Sequence, residues 1–454
     1  MFARPCGLFM IGFCRPAIVA VVAVLMLAAC QSKVEPERRP VQAPPVTEAP
    51  TALPAPSEGA LEDALPPADL TGAPAANEIR IALLVPLSGP NAAIGRALLD
   101  AAQLAVFEVG DENFILLPRD TGGTPEGAAA AADAAIDAGA RLIVGPLFAA
   151  EVPAVAARAR PAGVSVLSLS NDLSVAAPGA YVMGVPPRAQ IARVIEFARS
   201  RGLSRFAALL PNNSYGAAVE DALYATASRV GGQVTAIERY DPGTTDASPA
   251  VRRLASYEAR RAGLEQQRRE LEARGDEISR QALRRLEGVD TVGELNFDAV
   301  LLPDFGERLL AIAPLLPYYD VDPARVRFLG SSLWDDPRVT REPALIGGWF
   351  AGPPPESRDA FAKRYRDVYR RDPPRVATIA YDATALAAVL ARAEGGPDFS
   401  QEAITNPVGF AGMDGVFRLM PDGSIERHLA IVEVRRNGFR TISPAPESFE
   451  QVGQ

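Results

Sequence analysis

From Ile79 onward, short apolar runs alternate with segments whose apolar residues recur at helical spacing, and this alternation constrains the fold more than any other feature. Ile79-Arg80-Ile81-Ala82-Leu83-Leu84-Val85 is almost continuously apolar, the pattern of a strand buried on both faces. Pro86-Leu87-Ser88-Gly89-Pro90 breaks it, and Ile94, Ala97, Leu98, Ala101, Leu104 and Ala105 then mark one face of a helix. The cycle repeats with a strand at 114–117, an alanine-rich helix at 124–138, a strand at 142–144 closed by Gly145-Pro146, a helix from about Ala150 and a strand at 164–167. A second round follows 181–185, with a helix at 188–201, a strand at 206–210, a helix opened by Ser214-Tyr215-Gly216 and a strand at 234–237. A strand at 297–302, a helix at 306–316 and a strand at 326–329 complete it. This rhythm predicts the α/β class: doubly wound parallel sheets with functional loops at the carboxyl ends of their strands. Two rounds predict two lobes with a cleft between them.

Residues 251–287 interrupt the second round and are dense in Arg and Glu. Tyr257, Leu264, Leu271 and Ile278 recur every seven residues, a narrow apolar stripe on one long helix or on a hairpin bent at Gly275-Asp276. Arg261 and Arg268 occupy the second apolar position that a coiled coil would need. The segment therefore reads as a charged helical insertion, packed on its lobe by one stripe or projecting toward a partner.

Scarce residues narrow the chemistry. The three cysteines, Cys6, Cys14 and Cys30, all precede the folded region, and His428 is the only histidine in 454 residues. A disulfide framework, a thiolate nucleophile and a Cys/His zinc site are thereby excluded from the folded part. No Walker A sequence or nucleophile elbow is present, so neither an enzyme nor a cofactor is predicted. With a net charge of -9 and scattered arginines, the chain has no basic stripe to follow a nucleic-acid backbone.

At the N-terminus, Arg4 and Arg15 precede an apolar run, 16–29, that is too short to span a bilayer comfortably and ends in small residues. We read 1–29 as a signal peptide. Leu27-Ala28-Ala29-Cys30 resembles the bacterial lipobox, which implies lipidation at Cys30 and a membrane partner; Gln31 after it favours the outer membrane by the same resemblance. Residues 30–77 lack aromatics and are rich in Pro, Ala, Glu and Thr, so they read as a disordered tether. At roughly 3 Å per residue it could reach on the order of 100 Å.

Several pieces of the folded region resemble the Leu/Ile/Val-binding branch of the type I periplasmic solute-binding superfamily: IALLVPLSGPNAAIG from Ile81, LIVGPL from Leu142, VLSLSND from Val166, Tyr215-Gly216, FLGSS from Phe328 and GMDGVFRLMPDGSIERHLAIVEV from Gly412. The resemblance implies a first lobe of 78–184 plus 353–408 and a second of 185–352 plus 409–440, with 441–454 as a tail. It also implies a cleft lined by Ser88, Gly89, Ala149, Ala150, Ser170, Asn171, Asp172, Tyr215, Phe305, Ser332 and Trp334. Ser, Asn and Asp after strands equally serve as helix caps. An amino acid in such a cleft needs hydroxyls and amides for its carboxylate and an acid for its ammonium. The loop after Gly145-Pro146 lacks the hydroxyls, and Ser332 stands at the position of the acid, so this clamp is only partly present.

The lipobox, the tether, GPLFAAEV, LSLSND and the charged insertion together are more similar to the penicillin-binding protein activators. That resemblance implies a non-enzymatic outer-membrane lipoprotein that stimulates peptidoglycan synthesis by a penicillin-binding protein. The helical-repeat domain that precedes the fold in enterobacterial members is absent. The alternative is a substrate-binding protein that delivers a branched-chain or other amino acid to an ABC permease.

Overall fold

A computed structural model describes residues 77–244 and 246–449. The predicted signal peptide, Cys30 and all but the last residue of the tether lie outside the described residues, as do 450–454. Among the described residues no helix is long and apolar enough to cross a membrane.

The first lobe runs β1 (Ile79–Val85), α1 (Ala92–Val109), β2 (Phe114–Asp120), α2 (Pro125–Asp137), β3 (Leu142–Val144), α3 (Val152–Ala159), β4 (Ser165–Ser168) and β5 (Ala180–Val182). Its five strands form one parallel sheet in the order β2-β1-β3-β4-β5. The unbroken apolar run of β1 has a direct cause. Ile81, Leu83 and Val85 enter a core under α1, whereas Ala82 and Leu84 enter a second core under α2 and α3 on the opposite face. Local signals set the helix ends: the Thr124 side chain accepts from the Gly127 amide and Pro125 occupies the first turn of α2.

The chain then enters the second lobe with α4 (Pro187–Ser200), β6 (Arg205–Pro211), α5 (Ser214–Arg229), β7 (Gln233–Tyr240), α6 (Ser248–Leu254), α7 (Tyr257–Arg274), α8 (Glu277–Arg285) and β8 (Ala299–Leu301). It continues through α9 (Gly306–Ile312), α10 (Leu315–Tyr318), β9 (Arg327–Gly330) and β10 (Trp349–Gly352). The single helix expected over 306–316 is two, divided at Pro314, whose ring cannot donate to the helix ladder.

Two crossings follow. α11 (Pro355–Tyr369) and α12 (Ala377–Ala391) return to the first lobe, where Phe361, Tyr365 and most of α12 join the core under α1. α13 (Gln401–Ile404) and the hairpin β11 (Phe417–Leu419)–β12 (Ile425–Arg427) stay there, because Phe417, Leu419 and Ile425 are buried in that same core. The last crossing therefore lies after Arg427, later than the expected 409. Only β13 (Ala430–Arg435) and β14 (Gly438–Ser443) complete the second sheet, whose order is β14-β13-β10-β9-β8-β6-β7. β13 runs antiparallel to both β10 and β14, so this sheet is parallel in its centre and mixed at one edge. The start of the expected tail, 441–443, is part of β14.

The insertion resolves to the hairpin. Gly275 adopts a left-handed conformation at φ 64 and ends α7, and the Asp276 side chain accepts from the Ser279 amide to start α8. Leu264 is buried and Tyr257 packs against the second-lobe core, but Ile278 is 80% exposed. The seven-residue stripe fails at its last member because the chain reverses before reaching it.

Candidate functional site

The loops at the carboxyl ends of β3, β4 and β9 converge, together with the first turns of α4 and α12. They line an open cavity of about 500 Å³ between the lobes. Leu147, Phe148 and Ala149 come from the loop after β3, and Leu169, Ser170, Asn171 and Asp172 from the loop after β4. Val185 and Gln190 sit where the chain enters α4, and Ser332 and Leu333 follow β9. Arg375 and Val376 lie just before α12 and Ile379 in its first turn, and Asp414 belongs to the segment before β11. Apolar side chains provide roughly half of this lining, and the polar groups cluster at the loop tips, the composition of a small-molecule site.

Each wall is braced from behind. Glu151 is fully buried and its carboxylate accepts from the Phe148 amide at 3.1 Å, which pins the turn carrying Ala149. Burial pushes the Glu151 carboxyl above its usual range, against the pull of Phe148 and Thr121. Ser168 Oγ accepts from the Ser170 amide, Ser170 Oγ from the Asp172 amide, and Asp172 Oδ1 from the Ser174 amide. The loop after β4 is thus held by its own side chains. Across the cleft, Gln190 Oε1 accepts from the Ser332 amide at 2.8 Å while its Nε2 donates to Val185 O at 2.9 Å.

A line of charges runs along one wall. Asp335 of the second lobe, its side chain 4% exposed, pairs with Arg358 of α11 and lies 3.3 Å from Arg375 Nε. Arg375 Nη1 donates to Asp414 at 3.1 Å, and Thr378 Oγ1 donates to the other Asp414 oxygen at 2.9 Å. Asp414 in turn gives its amide to Asp382, which forms a fully buried pair with Arg427 at 3.2 Å. Burial pushes the Asp382 carboxyl up to about 6, opposed by Arg427 and by the Met413 and Asp414 amides. This series of ion pairs ties Asp335 to two first-lobe arginines.

Among the residues expected in the cleft, the structure brings Ala149, Ser170, Asn171, Asp172 and Ser332 together in this cavity. Ser88 and Gly89 are not among its lining. The amides of Leu87 and Ser88 donate to Asp120 Oδ1, while Gly89, at φ 72, turns the chain into α1. Ala150 is exposed beside the lining residue Ala149. Tyr215 packs on the second-lobe core with its hydroxyl 3.4 Å from Ser331 Oγ, and burial raises that phenol to about 12. Phe305 stands 58% exposed at the start of α9. Trp334 is fully buried, donating from Nε1 to Leu302 O at 2.9 Å, so it is core rather than cleft. An aromatic after a strand can serve either place, and its indole N–H found a backbone carbonyl instead of a ligand.

Sequence reasoning missed Arg375, Gln190, Asp414 and Ile379. Pro373-Pro374 before Arg375 marks a helix start, but nothing local indicates that its partner is Asp414, 39 positions away.

A family model described as periplasmic binding protein matches residues 78–439. A curated relative, the uncharacterized protein RP748 of Rickettsia prowazekii, is 23% identical over 179 residues, which is 39% of this chain and 48% of that protein. The chain thus spans about half the length of the curated relative it matches. An ABC transporter substrate-binding protein from Sphaerobacter thermophilus superposes with a TM-score of 0.60 at 19% identity, over 82% of this chain and 99% of that one. A branched-chain amino acid transporter substrate-binding protein from Streptococcus pneumoniae, in complex with isoleucine, gives 0.54 at 18% over 81% and 100%. A solute-binding protein from R. palustris in complex with benzoate gives 0.55 at 16% over 83% and 98%. Likeness at these identities speaks for the fold.

Proposed function

The chain belongs to the periplasmic binding protein family, and from that premise we propose that it is the substrate-binding component of an ABC-type importer, taking a small organic solute between its lobes. The observation that carries this reading is the cavity of about 500 Å³ built from strand-end loops of both lobes, each braced by side-chain hydrogen bonds. The superposed proteins crystallised with isoleucine and with benzoate support a small solute and, between them, leave its class open. A binding protein that encloses its solute is stabilised by mass action, by about 2.7 kcal/mol at a hundredfold excess over Kd. A thermal-shift screen of the full chain against amino and organic acids should therefore give one saturable rise, abolished when Ala149→Trp fills the cavity. A well-folded protein with no shift for any solute would overturn the reading.

Attachment through Cys30 completes the proposal: the lipobox-like Leu27-Ala28-Ala29-Cys30 would keep the receptor at the membrane. Cys30→Ala should release the protein into the soluble envelope fraction and abolish incorporation of labelled fatty acid. A second reading, activation of a penicillin-binding protein, is favoured by one observation. The hairpin α7–α8 carries the exposed Ile278 beyond its buried anchor at Leu264. Capture of a purified penicillin-binding protein by the full chain, lost with Ile278→Glu, would support it; absence of capture would remove it.

A further inference from the structure

A second cavity, an open groove of about 980 Å³, runs between α4 of the second lobe and the hairpin β11–β12 of the first. It shares elements with the solute cavity but no residues. Asp172 lines that cavity and Leu173, the next residue, lines the groove. On α4, Gln190 faces the cavity, while Ala189, Ala192 and Arg193 face the groove.

Charge along the groove is unevenly compensated. Glu196 pairs with Arg229 and Glu426 with Arg418, both at 2.6 Å, and Arg427 pairs with Asp382. His428 is engaged through Nδ1 with Pro446 O. Two arginines of α4 stand outside any ion pair. Arg193, half-buried, donates from Nε to Leu429 O at 2.9 Å and from Nη2 to Ser443 Oγ at 2.7 Å, both neutral acceptors. Burial pushes its guanidinium below the usual range, opposed by Glu196. Arg188, exposed in the first turn of α4, makes no hydrogen bond or ion pair among the described residues. The lining carboxylate outside an ion pair is Asp422. It lies exposed in the turn between β11 and β12, where its Oδ1 accepts from the amide and the hydroxyl of Ser424. The α4 wall is therefore left cationic, beside apolar Ala189, Ala192 and Leu429.

A half-buried guanidinium without a counter-ion is costly, and an incoming carboxylate offsets that cost with charge-assisted bonds. A free small anion would leave most of the groove unfilled, whereas an extended segment lays apolar side chains on the alanines and one acidic side chain against the arginines. We infer that this groove is a docking site for an extended peptide segment of a partner protein, whose acidic residue is received by Arg193 and Arg188 between apolar neighbours. Because its walls belong to different lobes, the seated segment spans both lobes at a place separate from the solute cavity.

An array of random-sequence octapeptides probed with the full chain tests this. Bound sequences should be enriched in Asp or Glu flanked by apolar residues, and the best of them, made as a soluble peptide, should bind more weakly as salt rises. Arg193→Gln should weaken that peptide by about tenfold or more. Because Arg193 also holds Leu429 and Ser443, Arg188→Glu is the second variant. It should weaken binding by about threefold or more with an unchanged melting temperature. No bound peptide, bound sequences without acidic enrichment, or indifference to both variants would overturn the inference. Dimerisation of the full chain that Arg188→Glu abolishes would overturn it as well, making the occupant a second copy.

Discussion

Asp298 shows how one carboxylate can set a strand. Its Oδ2 accepts from the amides of Ser204 and Arg205 at 3.0 and 2.9 Å, and its Oδ1 accepts from the Arg205 guanidinium at 3.0 and 2.6 Å. These bonds seat the first residue of β6 beside β8. Partial burial pushes the Asp298 carboxyl up, but Arg205 and the two amides outweigh it and hold the group below its usual range. A carboxylate depressed in the folded state stabilises it above the unfolded pKa, near 4, and that contribution fades as pH falls through the folded value. Asp298→Asn should lose about 1.5 to 3 kcal/mol at neutral pH. Its urea midpoint should converge on that of the parent protein as pH drops below about 4; a constant difference down to acid pH would contradict the assignment. Gly330 makes a different demand. A Cβ there would overlap the Trp334 ring, which fills the second-lobe core. Gly330→Ala should cost about 1 to 3 kcal/mol by overpacking and Trp334→Ala about 3 to 5 kcal/mol, read by denaturant unfolding.

Elements differ in how firmly they are attached. β1 is buried along its whole length and α12 over most of its faces, whereas α7 and α8 have only Leu264 and Ser279 buried between them. The base of the hairpin is held by Arg260, which pairs with Asp320 at 2.9 Å, and by Arg268, which donates to Leu286 O at 2.7 Å. Most of its other ion pairs, such as Arg261–Glu265 and Arg280–Glu277, are exposed and contribute little each. Leu264→Ala should therefore cost about 2 to 5 kcal/mol. Ile278→Glu should stay within about 0.5 kcal/mol of the parent protein. If the two cost the same, Ile278 is covered in solution and the hairpin does not end free.

At the scale of the molecule, three crossings join the lobes, and the charge line from Asp382 through Asp414 and Arg375 to Asp335 braces them. Asp335→Asn should remove the second-lobe charge that Arg358 and Arg375 share, leaving them only Asp359 and Asp414, and loosen the cleft. A larger radius of gyration by small-angle scattering, reversed by bound solute, is the expected result; an unchanged radius would place the closing force elsewhere. Much of this molecule was legible in the sequence because its signals are local. Apolar runs such as 79–85 suit strands buried on both faces, the alanine-rich stretch from Thr124 marked a helix, and the succession of strand and helix indicated an α/β fold in two lobes, though not the antiparallel edge that β13 adds to the second sheet. Tertiary structure alone decided which strand-end residues face the cavity. Ser170 lines it, while Trp334, in an equally suitable loop, turns inward to Leu302 O. It also decided that 417–427 packs on the first lobe and that Arg375 meets Asp335 and Asp414. Propensity and periodicity act over a few residues, whereas burial and charge pairing are settled between segments tens of positions apart, and no local pattern records their partners.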